Sequence, residues 1–334
     1  MSPDRLKESV SGQNNENVQT EEIDLSDQPA NEIQKPLFTF AIGGDVMFDR
    51  AVDYAFRGDK IFHIFDNFSP NVFADQDLSL INLEGPISQN EIPADNTYNN
   101  LIFNFPPKSG ETLLGLGIDA VSLANNHSLN NGRSGLDFTK EHLDLIGIVP
   151  IGQQKGFNKE SIKRFNGNEY TVSIIAIDCL EDDCYSISES ISLENSETNF
   201  QVVFPHWGEE YAVKHSASQQ KIAENWIDAG ADLVIGSHPH VIQDALIYKD
   251  KPVFFSLGNL LFDQTFSKET QEGFVVSGEI WHDSVKIRLY PTKSIKLTPN
   301  FLVGKEKVDF STKYYQYFNQ VYNGQENNWL IFPL

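Results

Sequence analysis

At 334 residues with 40% hydrophobic content, the chain can bury a sizeable core and fits one large or two ordinary globular domains. Its 25 Lys and Arg stand against 47 Asp and Glu, a formal net charge of −22. That balance excludes nucleic acid as a partner, because such affinity rests on basic side chains displacing counterions from phosphates. No apolar run approaches the ~20 residues that span a bilayer.

Residues 1–35 are polar, acidic and rich in Asn, Gln, Glu and Ser, a composition that predicts disorder. Such a stretch is either a plain tail or a tether between a membrane and a folded body over 36–300. The opening Met1-Ser2-Pro3-Asp4 has no apolar signal-peptide core. The chain is therefore expected in the cytoplasm if complete, and outside it if an anchor precedes this sequence.

Pro36 opens the first apolar run, residues 37–43 (LFTFAIG), which leads into Gly44-Asp45. An Asp after a strand often caps the next helix, so Asp45 carries that reading beside a chemical one. Arg50 suits either an anionic substrate or a surface ion pair. Residues 51–76 read as an amphipathic helical stretch broken at Gly58 and Pro70. The second run, residues 78–82 (LSLIN), precedes Leu83-Glu84-Gly85-Pro86, where the Gly-Pro turn leaves Glu84 at the strand tip. Residues 88–105 turn from polar to aromatic and are long enough to form a loop over a site.

A short helix is expected over 107–116, then a third strand over 120–124 (AVSLA) that runs into Asn125-Asn126-His127. Turn formers explain most of that segment, but not His127. Ser134 reads as the cap of a helix ending at Gly147. Residues 162–178 form a predicted hairpin around Asn166-Gly167-Asn168. Cys179 and Cys184 permit a small-loop disulfide or two free thiols, and they lack the second pair a zinc site would need. Residues 181–198 look irregular.

The fourth run, residues 201–204 (QVVF), leads into Pro205-His206-Trp207-Gly208. A helix over 216–229 presents Ile222, Ala223, Trp226 and Ile227 as a core stripe, with Gly230 at its end. The fifth run, residues 231–235 (ADLVI), opens into Gly236-Ser237-His238-Pro239-His240. Two strands across Lys249-Asp250 follow. Asn259 reads as a turn residue or as support for a site. Another strand pair covers 274–280 and 285–290. The aromatic C-terminal extension, 301–334, with Tyr314, Tyr315, Tyr317, Phe318, Trp329 and Phe332, must dock on the body.

Five runs thus deliver Asp, Glu, Asn or His just past their last apolar residue, where α/β sheets place ligands. Asp45, Glu84, Asn126, His206, His238 and His240 supply two carboxylates, one amide oxygen and three imidazoles. That set exceeds one four-coordinate ion and suits two ions ~3.5–4 Å apart sharing a carboxylate. Nitrogen and oxygen donors without thiolate favour Mn, Fe or Zn over Ca. Such a pair supports in-line hydrolysis at a phosphoryl or carbonyl centre, with His127 free to protonate a leaving group.

Over roughly residues 37 to 265 these motifs, in this order, resemble those of CapA-type (PgsA) poly-gamma-glutamate capsule biosynthesis proteins, which are similar to calcineurin-like metallophosphoesterases. The resemblance implies an α/β fold, a four-layer sandwich of two mixed β-sheets flanked by helices, with a dinuclear site at one edge. It assigns Asp45 and His240 to the first metal, Glu84 to the bridge, and His206 and His238 to the second. Asn126 and His127 match the Asn-His pair, while Arg50, Asn82, Asn125, Trp207 and Asn259 are expected as substrate contacts or supports. Met47 departs from the Asp-x-His of general phosphoesterases, so the first ion is expected to bind weakly. The resemblance also implies an N-terminally anchored surface protein that handles poly-gamma-glutamate, or another anionic polymer, alongside membrane synthase or export subunits. The rival expectation is a non-catalytic scaffold of such a complex.

Overall fold

The computed structural model describes residues 35–89, 101–167, 170–319 and 328–334. The expected tail, apart from Lys35, lies outside the described residues, as do Asn168 and residues 90–100 of the expected loop.

The first run folds as β1 (Phe38–Val46), and its residues alternate between two cores. Phe38, Phe40 and Ile42 enter one cluster while Ala41 and Val46 enter another. Burial on both faces is why the run reads as continuously apolar. Next come α1 (Arg50–Phe56), β2 (Leu78–Leu83), α2 (Lys108–Leu116), β3 (Ala120–Ser122), α3 (Gly132–Ile146) and β4 (Val149–Ile151). A second group comprises β5 (Ile162–Asn166), β6 (Thr171–Asp178), α4 (Ser188–Glu194), β7 (Phe200–His206), α5 (Ala217–Asp228), β8 (Leu233–Ile235), β9 (Ala245–Tyr248) and β10 (Lys251–Phe254). The chain then continues through β11 (Asn259–Leu261), β12 (Glu272–Ile280), β13 (Ser284–Ile295), β14 (Thr298–Phe301), α6 (Gly304–Tyr315) and β15 (Leu330–Pro333).

The first sheet has the order β14-β13-β12-β1-β2-β3-β4, with β11 beside β1 and β15 beside β13. In it β1 to β4 are parallel, whereas β12 and β13 are antiparallel. The second sheet has the order β5-β6-β7-β8-β10-β9, parallel at its centre and antiparallel at both edges. One core lies between the sheets, formed by Phe40, Ile42, Leu80, Ile174, Val202 and Phe254 among others. A second joins the first sheet to α2 and α3 through Leu113, Leu116, Leu136 and Leu143. A third joins the second sheet to α4 and α5 through Ile191, Ile222 and Trp226. The layers run helix, sheet, sheet, helix, the expected mixed α/β sandwich.

Local differences have local causes. Asp49, not Asp45, accepts from Arg50 N and caps α1. The helical reading of 51–76 stops at Phe56, because Gly58 at φ +68° turns the chain into a short 3₁₀ segment. Ser134 lies inside α3, whose N-cap is Asn131. Within the stretch read as irregular, Ile187 and Ile191 are buried and hold α4 against the sheet.

Tyr314, Tyr315, Phe318, Leu330 and Phe332 are buried in the core between the sheets, with the Phe318 and Phe254 rings 5.0 Å apart. Cys179 and Cys184 are joined, with Cα atoms 5.5 Å apart. Among the described residues no helix is long and apolar enough to cross a membrane.

Candidate metal centre

The site forms where β1, β2 and β3 of the first sheet end beside β7 and β8 of the second. Register aligns the donors: Asp45 lies opposite both Asn82 and Asn259, and His206 is bridged to Ser237. The close approach of β1 to the chain before β11 requires Gly44, since a Cβ there would stand 1.9 Å from Gly258 O. His238 (φ +98°) and His240 (φ +57°) both adopt the left-handed region that side-chain-bearing residues disfavour. Such strain persists where surrounding structure over-determines it, which is common at functional sites.

Asp45, Glu84, His206, His238 and His240 are all buried, and Asn126 and His127 are half-buried at the rim. Although Glu84 stands at a strand tip, its carboxylate is fully enclosed. His206 Nε2 lies 3.0 Å from Asn126 Oδ1 and 3.1 Å from His238 Nδ1. Adjacent donors around an octahedral ion with bonds of about 2.1 Å stand about 3 Å apart, so the spacing suits a cation. Glu84 Oε1 is buried without a hydrogen-bond partner, at 3.5 Å from His240 Nε2. A buried carboxylate oxygen that accepts no hydrogen bond and faces imidazoles also fits a cation, because a buried acceptor left without a donor is costly. Two ligand-type groups emerge among the described residues: Asp45, Glu84 and His206, and separately Glu210, His238 and His240.

An outer layer of amides orients these groups, as supporting partners do around metal ligands. Asn82 Nδ2 donates to Asp45 Oδ1 at 2.8 Å and to Glu84 Oε2 at 3.3 Å. Asn125 Nδ2 donates to Asn82 Oδ1 at 3.0 Å and to Leu83 O at 2.8 Å. His206 Nδ1 lies 3.1 Å from Ser237 Oγ and 3.3 Å from Asn82 Nδ2, and Ser237 Oγ donates to Pro205 O, so the ring is held from its inner edge. Asn259 is a support rather than a turn residue: its Oδ1 lies 3.0 Å from His240 Nδ1, and its amide donates to Gln264 Oε1 and Thr270 O.

The electrostatics favour incoming positive charge. Burial pushes the Glu84 carboxyl well above the ordinary range. Burial pulls His240 down, but the Glu84 and Asp45 carboxylates outweigh it and raise the imidazole to about 9. Both shifts retain protons where carboxylates converge. His206 is held well below the usual histidine value by burial and by neighbouring imidazoles, and His238 falls to about 4 for the same reasons. Both are neutral and able to ligate at pH 7.

His127 lies beside this group, with Nε2 at 3.9 Å from Glu84 Oε1. Asn130 Oδ1 accepts from Phe103 N at 2.8 Å, so His127 Nδ1, 3.0 Å away, is the donor and Nε2 carries the lone pair. Burial lowers the His127 pKa, against the Asn130 hydrogen bond.

A cavity of about 390 Å³ opens over these residues, lined by Arg50, Glu84, Phe103, His127, Tyr211 and His240 among others. Arg50 is buried in an ion pair with Asp263, its guanidinium 5.0 Å from the Phe103 ring, and is not the surface partner that a lone Arg suggests. A larger cavity, about 440 Å³ between Pro70 and β13–β14, has no carboxylate or imidazole in its lining.

One placement differs from the sequence reading, and Met47 agrees with it. Trp207 does not face the cavity: its indole stacks on Trp226 at 5.2 Å and donates to Phe255 O at 2.8 Å inside the second sheet's outer core. Strand alternation explains this, since His206 points to the site and the next side chain to the opposite face. Met47 is buried in the apolar cluster of the first sheet, its sulfur 2.9 Å from Asp49 N. Glu210 and Asp263 were missed. Glu210 carried one signal, its place two residues beyond Gly208 in the loop that His206 opens.

Comparison with known proteins agrees with the strand-end motifs. The chain is 28% identical over 256 residues to the PGA biosynthesis protein CapA of Bacillus subtilis (strain 168), covering 70% of this chain. It is 27% identical over 271 residues to the capsule biosynthesis protein CapA of Bacillus anthracis, covering 74% of this chain. The match spans 65% of the length of each of these relatives, just under two thirds. Among solved structures, a hypothetical protein from Thermus thermophilus aligns with TM-score 0.48 and 14% identity, over 76% of this chain and 99% of that one. A Staphylococcus aureus protein described as a candidate 5'-nucleotidase aligns with TM-score 0.48 and 13% identity, over 84% of this chain and 58% of that one. At that degree of likeness neither structure speaks to function. The family model of the bacterial capsule synthesis protein PGA_cap matches residues 39–264, and the chain belongs to that family.

Proposed function

We propose that the strand-end site makes this chain a metal-dependent hydrolase-like capsule biosynthesis protein, acting on amide or phosphoester bonds of poly-gamma-glutamate or a similar anionic polymer. The observation that carries the reading is the buried Glu84 Oε1, which accepts no hydrogen bond and lies 3.5 Å from His240 Nε2, in the same pocket as the close Asn126, His206 and His238 donors. Asp45, Glu84, Asn126, His206, His238 and His240 would hold two divalent ions, with Mn, Fe or Zn suited to these donors. Bound ions would supply Lewis-acid stabilisation of a phosphoryl or carbonyl oxygen. Position 47 brings no imidazole, so an ion held at His240 would be the weaker one.

The remaining work falls to side chains. His127 would enter the cycle neutral, accept at Nε2 the proton that the attacking water gives up, and deliver it to the leaving group. Asn130 fixes the ring, and Phe103 packs against it at 4.3 Å. Arg50, held by Asp263, offers positive charge to a substrate carboxylate or phosphate. The Phe103, Phe262 and Phe266 side chains exclude water from the cavity wall.

The names of the Bacillus relatives support a role in making the capsule polymer, and work beside membrane synthase or export subunits is part of the same proposal. The Cys179–Cys184 disulfide supports an extracytoplasmic location, since such bonds persist in oxidising surroundings. Metal analysis joined to an activity screen tests the reading. Protein loaded with Mn is expected to hydrolyse generic phosphodiesters or gamma-glutamyl peptides. Less than about half an ion per chain, together with no hydrolysis, would leave the scaffold reading standing.

A further inference from the structure

Position 47 presents a thioether buried in the apolar cluster, its sulfur engaged by Asp49 N, so Asp45 and His240 receive no imidazole from that turn. Another carboxylate is held close by. The ligand atoms of Glu210, His238 and His240 lie within 4.8 Å of one another, the histidines buried and the glutamate exposed at the cavity rim. We propose that Glu210 is the replacement ligand: with His238 and His240 it completes a two-imidazole, one-carboxylate set for a divalent ion at the cavity mouth. The proposal rests on the reading of the strand ends as a metal centre.

The loop carrying Glu210 is built for this position. Tyr211 N donates to Pro239 O at 2.8 Å, tying the residue after Glu210 to the residue between the two histidines. Tyr211 adopts φ +64°, so three positions around the cluster, with His238 and His240, hold disfavoured backbone geometry. Gly208 turns the chain at φ +93°, and a Cβ there would stand 2.7 Å from Gln219 Nε2. Gln219 Nε2 donates to Gln243 Oε1 at 3.0 Å, and Gln243 Nε2 donates to Ala212 O and Lys214 O. A buried amide pair therefore clamps the Glu210 loop to the chain just beyond His240.

A second observation points to a cation independently of Glu210. Glu84 Oε1, fully buried and unpartnered, faces His240 Nε2 from the cavity floor. Three carboxylates, Asp45, Glu84 and Glu210, thus surround two imidazoles. Carboxylate with imidazole and no thiolate suits Mn²⁺ or Fe²⁺, ions that take such a three-sided set and leave positions open for substrate.

The experiment is a calorimetric Mn²⁺ titration of the full chain, paired with Mn²⁺ electron paramagnetic resonance and thermal melts, for the parent, Glu210→Gln and Glu209→Gln. Glu209 is the exposed neighbour outside the cluster and serves as the charge control. Glu210→Gln is expected to lose the weaker Mn²⁺ step or weaken it at least about tenfold, with a smaller Mn²⁺-induced rise in Tm. Glu209→Gln should match the parent. Equal stoichiometry and affinity in parent and Glu210→Gln would overturn the ligand assignment while leaving the metal centre intact. A parent chain that binds no Mn²⁺ overturns the metal centre and the assignment together.

Discussion

Asn82 Nδ2 donates to Asp45 Oδ1 at 2.8 Å, joining two fully buried side chains on neighbouring parallel strands that are in register at those residues. The same amide reaches Glu84 and receives Asn125, so one side chain orients both candidate carboxylates. Asn82→Ala would take one hydrogen bond each from Asn125 and Asp45. The expected cost is about 1–3 kcal/mol in denaturant unfolding and a ~10–100-fold loss in Mn²⁺ affinity. Unchanged affinity would show that the amide layer does not orient the ligands.

His238 and His127 should separate binding from chemistry. His238 contributes to the 3.1 Å contact with His206 and to the Glu210 group, so His238→Ala is expected to lower bound metal measured by plasma mass spectrometry. His127 stands 3.9 Å from Glu84, outside both groups, so His127→Ala should keep its metal and lose about 10²–10⁴-fold in rate. Full metal content in the His238 variant would remove that residue from the ligand set.

Asp178, at the end of β6 and opposite His206 in register, gives a pH prediction. Burial raises its carboxyl from 3.8 to about 7, and its Oδ2 has no hydrogen-bond partner. The folded state therefore binds a proton that the unfolded chain releases between about pH 4 and pH 7, and stability falls as pH rises through that window. Asp178→Asn is expected to flatten this dependence and stabilise the protein at pH 8 by at most ~4 kcal/mol. Parallel pH profiles for parent and variant in chemical unfolding would refute it.

The Cys179–Cys184 bridge closes a small loop beside the third core, where Cys184 O accepts from Trp226 Nε1 at 2.9 Å. Loop closure of this length contributes about 2 kcal/mol. Reduction, or Cys179→Ser with Cys184→Ser, should lower Tm by several degrees without changing bound metal.

Two glycines should respond oppositely to alanine. At Gly44 a Cβ would meet Gly258 O at 1.9 Å, so Gly44→Ala is expected to pry β11 from β1 and cost about 1–3 kcal/mol or more. Gly115 lies inside α2 with nothing within 4 Å of its added Cβ, and Gly115→Ala should stabilise by about 0.5–1 kcal/mol. Thermal melts of the two variants decide both.

What the sequence disclosed followed from periodicity. Apolar runs ending in Asp45, Glu84, Asn126, His206 and His238 announced strands with chemistry at their tips, because a packed strand admits such residues only where packing stops. Register was not legible: pairing Asp45 with both Asn82 and Asn259 depends on the glycine step at Gly43–Gly44, which leaves no pattern in composition. Alternation would have sent Trp207 to the core had it been applied past the strand's last apolar residue. Glu210 had no such rule to betray it, since an exposed glutamate in a loop is the commonest of surface residues. Helix α4 was hidden for the related reason that only Ile187 and Ile191 mark its buried side.

Asp45, Glu84 and Asn126 come from the first sheet, whereas His206, His238 and His240 come from the second. A cation gripped by both halves cannot be captured until the two sheets have docked, so retention of the ion would report that assembly is finished. For the group of Asp45, Glu84 and His206, isolated fragments carrying either half should show negligible affinity, and saturating ion should rivet the halves together against shear.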